Sequence, residues 1–323
     1  MSDREKLDII AKDVMAQAGP GHDSMNRRGV LKCMAWAGTG ILWTVSGGVP
    51  RSLGIGDALA ATGALTFVQI SDTHIGFKQP ANPHPETTMA EAVTRIRGLP
   101  TKPSFLIHTG DVTHLSKPEQ FDAAEQIIKG ANSEVHYVPG EHDWLDGGQA
   151  FKARHGQGTK GDGWYSFDSQ GVHFVALVNV VDFKAGSLTS LGQDQIAWLK
   201  DDVSGLASST PIVVFTHIPL WAIYPKWGWG TEDSAQALNL LKRFGSVTVL
   251  NGHIHQVMQK VEGKVTFHTA MSTAYPQPAP GAAAAPGPLK VPADKLRSYL
   301  GVREVNYVQG DQPLAIVDKK LSA

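Results

Sequence analysis

Cysteine is all but missing from this chain: its 323 residues include one, Cys33. A disulfide framework is thereby excluded, and so is a thiolate metal site. An excess of one charge is missing as well. Lysine and arginine total 29 against 30 aspartates and glutamates, a formal net charge of −1. A face for nucleic acid needs clustered Lys and Arg, and none is evident. Long apolar runs are also lacking. The one candidate span weighed, within residues 26–50, is too short and too interrupted by glycine to be a stable one. Histidine, by contrast, is plentiful, with 13 copies. Any metal chemistry here must use imidazole and carboxylate. An apolar content of 42% suffices for a sizeable buried core, and the length allows one large domain or two small ones.

Residues 26–50, NRRGVLKCMAWAGTGILWTVSGGVP, set Arg27 and Arg28 ahead of a weakly apolar, Gly- and Ala-rich segment. The pattern resembles a twin-arginine export signal. Ala58-Leu59-Ala60 fits a small-residue cleavage site. Residues 1–60 are therefore expected to be a signal peptide with an N-terminal extension, and residues 61–323 the mature domain. Cys33 falls in the leader, and translation from Met25 would remove the extension. The resemblance implies passage through the twin-arginine translocase to the periplasm, with anchoring to the membrane by an uncleaved signal as the alternative.

Beyond the leader, short apolar runs alternate with helical spacing. LTFVQISD (65–72), SFLIHTGD (104–111) and EVHYVPGEHD (134–143) read as strands, separated by helices over 86–98 and 118–130. WYSFDSQGVHFVALVN (164–179) reads as a hairpin turning at Ser169-Gln170-Gly171. Helices over 192–206 and 233–245 precede strands over 211–220 and 247–255, and KVTFHTA and LAIVDKKL read as two more strands. The Pro-, Gly- and Ala-rich segment 275–293 is expected to be an extended surface loop. No internal repeat is found.

The chemistry-bearing residues fall at the ends of these strands, where layered α/β folds build their sites. In order they are Asp72-Thr73-His74, Gly110-Asp111, Gly140-Glu141-His142-Asp143, His217, and Gly252-His253-Ile254-His255. Five such blocks in this order, across roughly residues 65–270, resemble the calcineurin-like metallophosphoesterase superfamily. The resemblance implies a four-layer α/β/β/α sandwich of two mixed sheets flanked by helices. It also implies two divalent or mixed-valence metal ions, with Mn, Fe and Zn the candidates. Asp72, His74 and His255 would hold the first, His217, His253 and position 141 the second, and Asp111 both. The implied reaction is hydrolysis of a small phosphomonoester or phosphodiester by a metal-bridging hydroxide. His142 would act as general acid, with Asp143 orienting its imidazole. His108 and His114 are candidate supports for the site, whereas His136, His173 and His268 read as ordinary strand residues.

Glu141 departs from the family, which carries a neutral Asn at this position. Two divalent ions offset by Asp72, Asp111 and a hydroxide keep one net positive charge, and an ionised Glu141 removes it. The pull on an anionic substrate then falls, and a trivalent ion becomes easier to tolerate. Three readings remain open: a working ligand, a side chain swung out from a weakened second site, or a site that binds metal with little catalysis. Trp221, Tyr224, Lys226, Trp227 and Trp229 follow His217 closely. They read either as an aromatic lip for a flat substrate group or as a buried supporting loop. Alternatives to the leading function are a non-catalytic metal-binding accessory protein and a hydrolase for lipid- or sugar-linked phosphate. Oligomeric state has no signature in the sequence.

Overall fold

The computed structural model describes residues 41–46, 49–54, 65–307 and 314–322. The first two segments pair as an antiparallel hairpin, β1 (Ile41–Ser46) and β2 (Val49–Gly54), within a unit separate from the remainder. Apart from that hairpin, the expected leader and its cleavage site lie outside the described residues. Among the described residues, no helix is long and apolar enough to cross a membrane.

The larger unit is built on two mixed sheets. In the first, β3 (Leu65–Ile70), β4 (Phe105–His108) and β5 (Glu134–Tyr137) run parallel. Helices α1 (Pro85–Arg97) and α2 (Pro118–Ile128) connect them. Each helix begins at a proline, whose fixed φ and missing N–H suit a first helical position. Helix α3 (Gln149–His155) leads to the second sheet, whose strand order is β10-β11-β9-β8-β7-β6. Its strands are β6 (Tyr165–Ser169), β7 (Val172–Ala176), β8 (Ile212–Thr216), β9 (Val247–Asn251), β10 (Gln259–Glu262) and β11 (Val265–Thr269). Helices α4 (Gln193–Ser204) and α5 (Ser234–Leu241) cover its outer face. The chain then returns to the first sheet as β12 (Gly301–Tyr307) and β13 (Ala315–Lys320), so that sheet reads β13-β12-β3-β4-β5.

Strand alternation explains the layering. On β3, Leu65 and Phe67 face the other sheet, while Val68 and Ile70 pack under α1 and α2. On β8, Val213 and Phe215 face inward, while Ile212 and Val214 meet α4 and α5. Both faces of each strand are covered, hence the near-continuous apolar runs in the sequence. The four-layer α/β/β/α arrangement expected from the resemblance is the one observed.

In the larger unit three elements escaped the sequence reading: α3, β10 and β12. The last is a buried strand next to the sheet centre, disguised by Arg303, Glu304 and Asn306. Each polar group there is matched. Arg303 donates to Asp318 at 2.8 and 3.0 Å and to the Thr269 carbonyl of the opposite sheet at 2.8 Å. Thr66 Oγ1 donates to Asn306 Oδ1 at 2.8 Å.

Candidate metal centre

Loops after β3, β4 and β5 of one sheet and after β8 and β9 of the other converge at one end of the sandwich. Five of the expected ligands stand there in the left-handed region: Asp72 (φ 52°), His74 (41°), Asp111 (52°), His253 (69°) and His255 (55°). That region disfavours L-residues, at about 1–3 kcal/mol each, and such strain gathers where a site demands it. The loops hold one another in place: Asp72 N–H donates to Gly110 O at 3.0 Å, and His74 N–H to Asp111 O at 2.9 Å. Two glycines are sterically required. A Cβ on Gly140 would fall on the Asp111 carboxylate, and one on Gly110 would fall on the His217 ring.

The side chains form two clusters around one carboxylate. Asp72, His74 and His255 bring ligand atoms within 4.8 Å of one another, as do Glu141, His217 and His253. Between them, Asp111 Oδ2 lies 3.4 Å from His74 Nε2 and 3.5 Å from His217 Nε2. His255 Nε2 is 3.3 Å from Asp72 Oδ1, and His253 Nδ1 is 3.0 Å from Glu141 Oε1. Glu141 is thus turned into the cluster, not swung out of it.

Whether these residues suit cations follows from their hydrogen bonds. His217 Nδ1 lies 2.7 Å from the Thr109 carbonyl and His255 Nδ1 lies 2.6 Å from the Tyr275 carbonyl. A carbonyl only accepts, so both Nδ1 atoms carry the proton and both Nε2 atoms are free to face the cluster. His217 Nε2 is buried without a hydrogen-bond partner although Glu141 Oε2 is 2.8 Å away. A buried lone pair beside a carboxylate oxygen is the arrangement that a cation completes, and the residues fit such ions.

Electrostatics follow from the same packing. Burial raises the pKa of Glu141, but the positive charges of His253 and His217 hold it well below the usual carboxylate range. Asp72 shows the same contest, with His255 the chief opponent of burial, and ends lowered. Burial depresses His217, yet Asp111 and Glu141 lift it well above the ordinary imidazole value. His74 is held well below it by burial and by His142 and His255.

His142 stands at the mouth. Its Nδ1 donates to the His114 carbonyl at 2.8 Å, its backbone N–H donates to Asp111 Oδ1 at 2.9 Å, and its ring stacks on His114. Burial works against its protonated form, but Asp111 and Glu141 together raise its pKa. The role expected for Asp143 needs correction. Its carboxylate accepts from the N–H groups of Val112, Thr113 and Gly140 and from Thr113 Oγ1, at 2.8–3.0 Å. It clamps the two ligand loops together, and the imidazole of His142 is oriented by a carbonyl instead. His108 meets Thr73 Oγ1 at 3.1 Å, and His114 Nδ1 lies 3.5 Å from His74 Nδ1.

The aromatic lip is also corrected. Trp227 and Trp229 do line the cleft, a space of about 230 Å³ above the cluster. Trp221 instead packs on Phe267 at 5.2 Å, away from the cleft. Tyr224 braces Trp227 edge-on at 5.1 Å, and Lys226 is exposed outside the lining. The turn Pro225–Trp227 followed by left-handed Gly228 folds the segment back, so only its second half faces in. One residue went unnoticed in the sequence. Tyr275, 4% exposed, stacks on His74 with ring centroids 4.8 Å apart and brings its hydroxyl within 3.2 Å of His74 Nε2. The start of the Pro-rich segment is therefore buried at the site, while residues 281–286 are exposed as expected.

With this geometry in view, the similarities to known proteins are coherent. A family profile described as calcineurin-like phosphoesterase matches residues 65–257. The chain belongs to the calcineurin-like phosphoesterases. Among curated relatives, the serine/threonine-protein phosphatase CPPED1 of Bos taurus is 30% identical over 146 residues, 42% of this chain and 47% of that protein. The glycerophosphodiester phosphodiesterase GpdQ of Enterobacter lignolyticus is 23% identical over 197 residues, 58% of this chain and 69% of that one. The chain thus matches about half to two thirds of the length of these relatives. A dimetal phosphatase from Danio rerio superposes with a TM-score of 0.59 at 13% identity, covering 80% of this chain and 96% of that one. A purple acid phosphatase from yellow lupin gives 0.58 at 12% identity, covering 81% and 52%. At such identities the structural likeness establishes the fold alone.

Proposed function

We propose that this calcineurin-like chain hydrolyses a phosphoester with two metal ions bound. The observation that carries this reading is the placement of Asp111 Oδ2 between two His–carboxylate clusters, with His142 opening onto the same cleft. Asp72, His74 and His255 would hold one ion, Glu141, His217 and His253 the other, and Asp111 both. When bound, the ions supply Lewis acidity toward the phosphoryl oxygens and lower the pKa of the attacking water. The all-nitrogen-and-oxygen donor set suits Mn, Fe or Zn.

The protein's own groups supply the rest. The carbonyls of Thr109 and Tyr275 fix the ring orientation of His217 and His255. His142, anchored through Nδ1, keeps Nε2 for the leaving oxygen and donates a proton there. Trp227, Trp229 and Phe183 exclude water from one side of the cleft. We further propose export by the twin-arginine route to the periplasm, a reading supported by Arg27-Arg28 and Ala58-Leu59-Ala60.

Elemental analysis of the purified protein, alongside hydrolysis of a chromogenic monoester and diester, tests the central reading. Two metal equivalents with turnover abolished by His142→Ala is the expected result. Metal-replete protein that hydrolyses neither ester overturns it in favour of a metal-binding accessory role.

A further inference from the structure

The phosphoesterase reading leaves the charge class of the substrate open, and the walls of the same cleft narrow it. Among the described residues no lysine or arginine lines the cleft. Asp111 and Glu141 do line it, and Asp72 stands directly behind His255. The remaining surface is largely flat and apolar, with Phe183, Trp227, Trp229 and Pro286 as walls and the amide of Gln277 among them. Outside the lining, near His142, Ser116 Oγ joins the His142 carbonyl to the N–H of Leu145, and the side chains of Leu145 and Leu115 are exposed.

A phosphomonoester arrives near neutral pH with close to two negative charges, because its second pKa is about 6, whereas a diester carries one. Among the described lining residues, the cationic partners a dianion would find besides the ions are imidazoles such as His142, and the carboxylates of Asp111 and Glu141 oppose its second charge. We propose that the cleft selects singly charged phosphodiesters bearing at least one flat or apolar alcohol group, an assignment that rests on the phosphoesterase reading. In the reaction the water oxygen forms a new P–O bond while the P–O bond to the departing alcohol breaks. The departing oxygen takes a proton from His142, and one of the water's protons restores that group. The other water proton leaves with the phosphate or to solvent. The monoester product ionises a second time, and the carboxylate of Glu141 favours its release.

Calorimetric titration of the metal-loaded full chain tests this independently of turnover. The probes are diphenylphosphinate, singly charged with two rings, and phenylphosphonate, doubly charged with one ring; P–C bonds make both inert to hydrolysis. At about pH 8, above the second ionisation of the phosphonate, diphenylphosphinate is expected to bind at least about tenfold tighter. Glu141→Gln is expected to narrow that ratio, and Trp227→Leu to weaken the phosphinate alone. Equal or reversed affinities overturn the inference. Hydrolysis of phenyl 4-nitrophenyl phosphate and 4-nitrophenyl phosphate, measured on the same sample, separates the two levels. Turnover of the monoester in preference to the diester sinks the selectivity while leaving a phosphoesterase. Turnover of neither sinks the phosphoesterase reading and this inference together.

Discussion

Glu141 Oε2 stands 2.8 Å from His217 Nε2, yet the two atoms make no hydrogen bond. A singly protonated imidazole commits its proton to Thr109 through Nδ1 and would leave two lone-pair atoms facing each other in a buried space, and Asp111 and Glu141 accordingly raise the pKa of the ring. Only a positive charge between them, or a proton forced onto the ring, relieves the repulsion. Chelation of the metals is therefore expected to destabilise the fold. A ligand at a hundred times its dissociation constant adds about 2.7 kcal/mol. For a domain of this size that corresponds to about 5–10 °C in Tm. Differential scanning calorimetry with and without chelator checks the drop, and Glu141→Gln is expected to shrink it. An unchanged Tm on removing the ions would refute the fit of this cluster to cations.

His142 makes a sharper prediction about chemistry. Its ring is fixed by the His114 carbonyl; it adjoins Asp111 and Glu141 but belongs to neither of the two three-residue groups assigned to the ions. His142→Asn should keep the metal content and lower kcat by about 10²–10⁴, the usual contribution of a positioned acid. The loss should grow as the leaving alcohol becomes more basic, because a poor leaving group needs the proton most. A rate ratio that stays flat across leaving groups would remove His142 from proton transfer.

Much of this arrangement was readable in the chain before its fold was seen. Asp72, Asp111 and His217 each close a run of apolar residues, and a polar side chain inside a buried strand needs a partner that the strand's own pattern does not show. Glu141 stood out because it replaces an amide. Tyr275 was invisible because it opens a Pro- and Ala-rich stretch whose composition argues for a loose surface loop, and nothing local shows that His74 waits beneath it. The Asp143 role was misjudged for a related reason. Adjacency to His142 suggested a partnership, but on a 3₁₀ turn neighbouring side chains diverge, and the carboxylate instead found the N–H groups of Val112 and Thr113. Strand β12 was missed because its polar residues find partners far away in sequence, and pattern alone cannot register those.

Arg303 is one such residue, and its burial permits a stability test remote from the cleft. Its guanidinium, almost fully buried, ties β12 to Asp318 on β13, to Gln69 on β3 and to the Thr269 carbonyl of the second sheet. Removing one partner of a buried pair costs about 3–5 kcal/mol, because the other is left uncompensated. Arg303→Met should lower Tm by roughly 10 °C, given about 2–4 °C per kcal/mol in a domain of this size. Metal content and substrate selectivity of the folded fraction should not change. A thermal melt that matches the parent would show that the guanidinium contributes nothing net between the sheets.

His173 supplies a pH test that avoids the metal cluster altogether. Its Nδ1 lies 2.8 Å from Asp168 Oδ1 and its Nε2 lies 2.9 Å from Asp202 Oδ2. Only the doubly protonated ring donates to both. Burial pushes the imidazole down, yet the bonds to Asp202 and Asp168 leave its pKa raised above the ordinary 6.5. A raised folded-state value means that the stabilisation is fully present below the unfolded pKa and fades as pH climbs through the folded one. The window therefore opens near 6.5 and extends upward. Asp168 is mostly exposed and Asp202 is not, so Asp202 carries most of the effect. Asp202→Asn keeps an acceptor for Ser166 Oγ, which bonds this carboxylate at 2.6 Å, while removing the charge. With solvent screening the pair is worth about 1 kcal/mol or less, so Tm should fall by about 2–4 °C at about pH 6. As pH climbs through the raised folded-state value the ring loses its second proton, and the same substitution should change Tm less. Melting both proteins across that range decides it: a Tm difference that grows as pH rises would reverse the sign and assign the neutral ring to the native state.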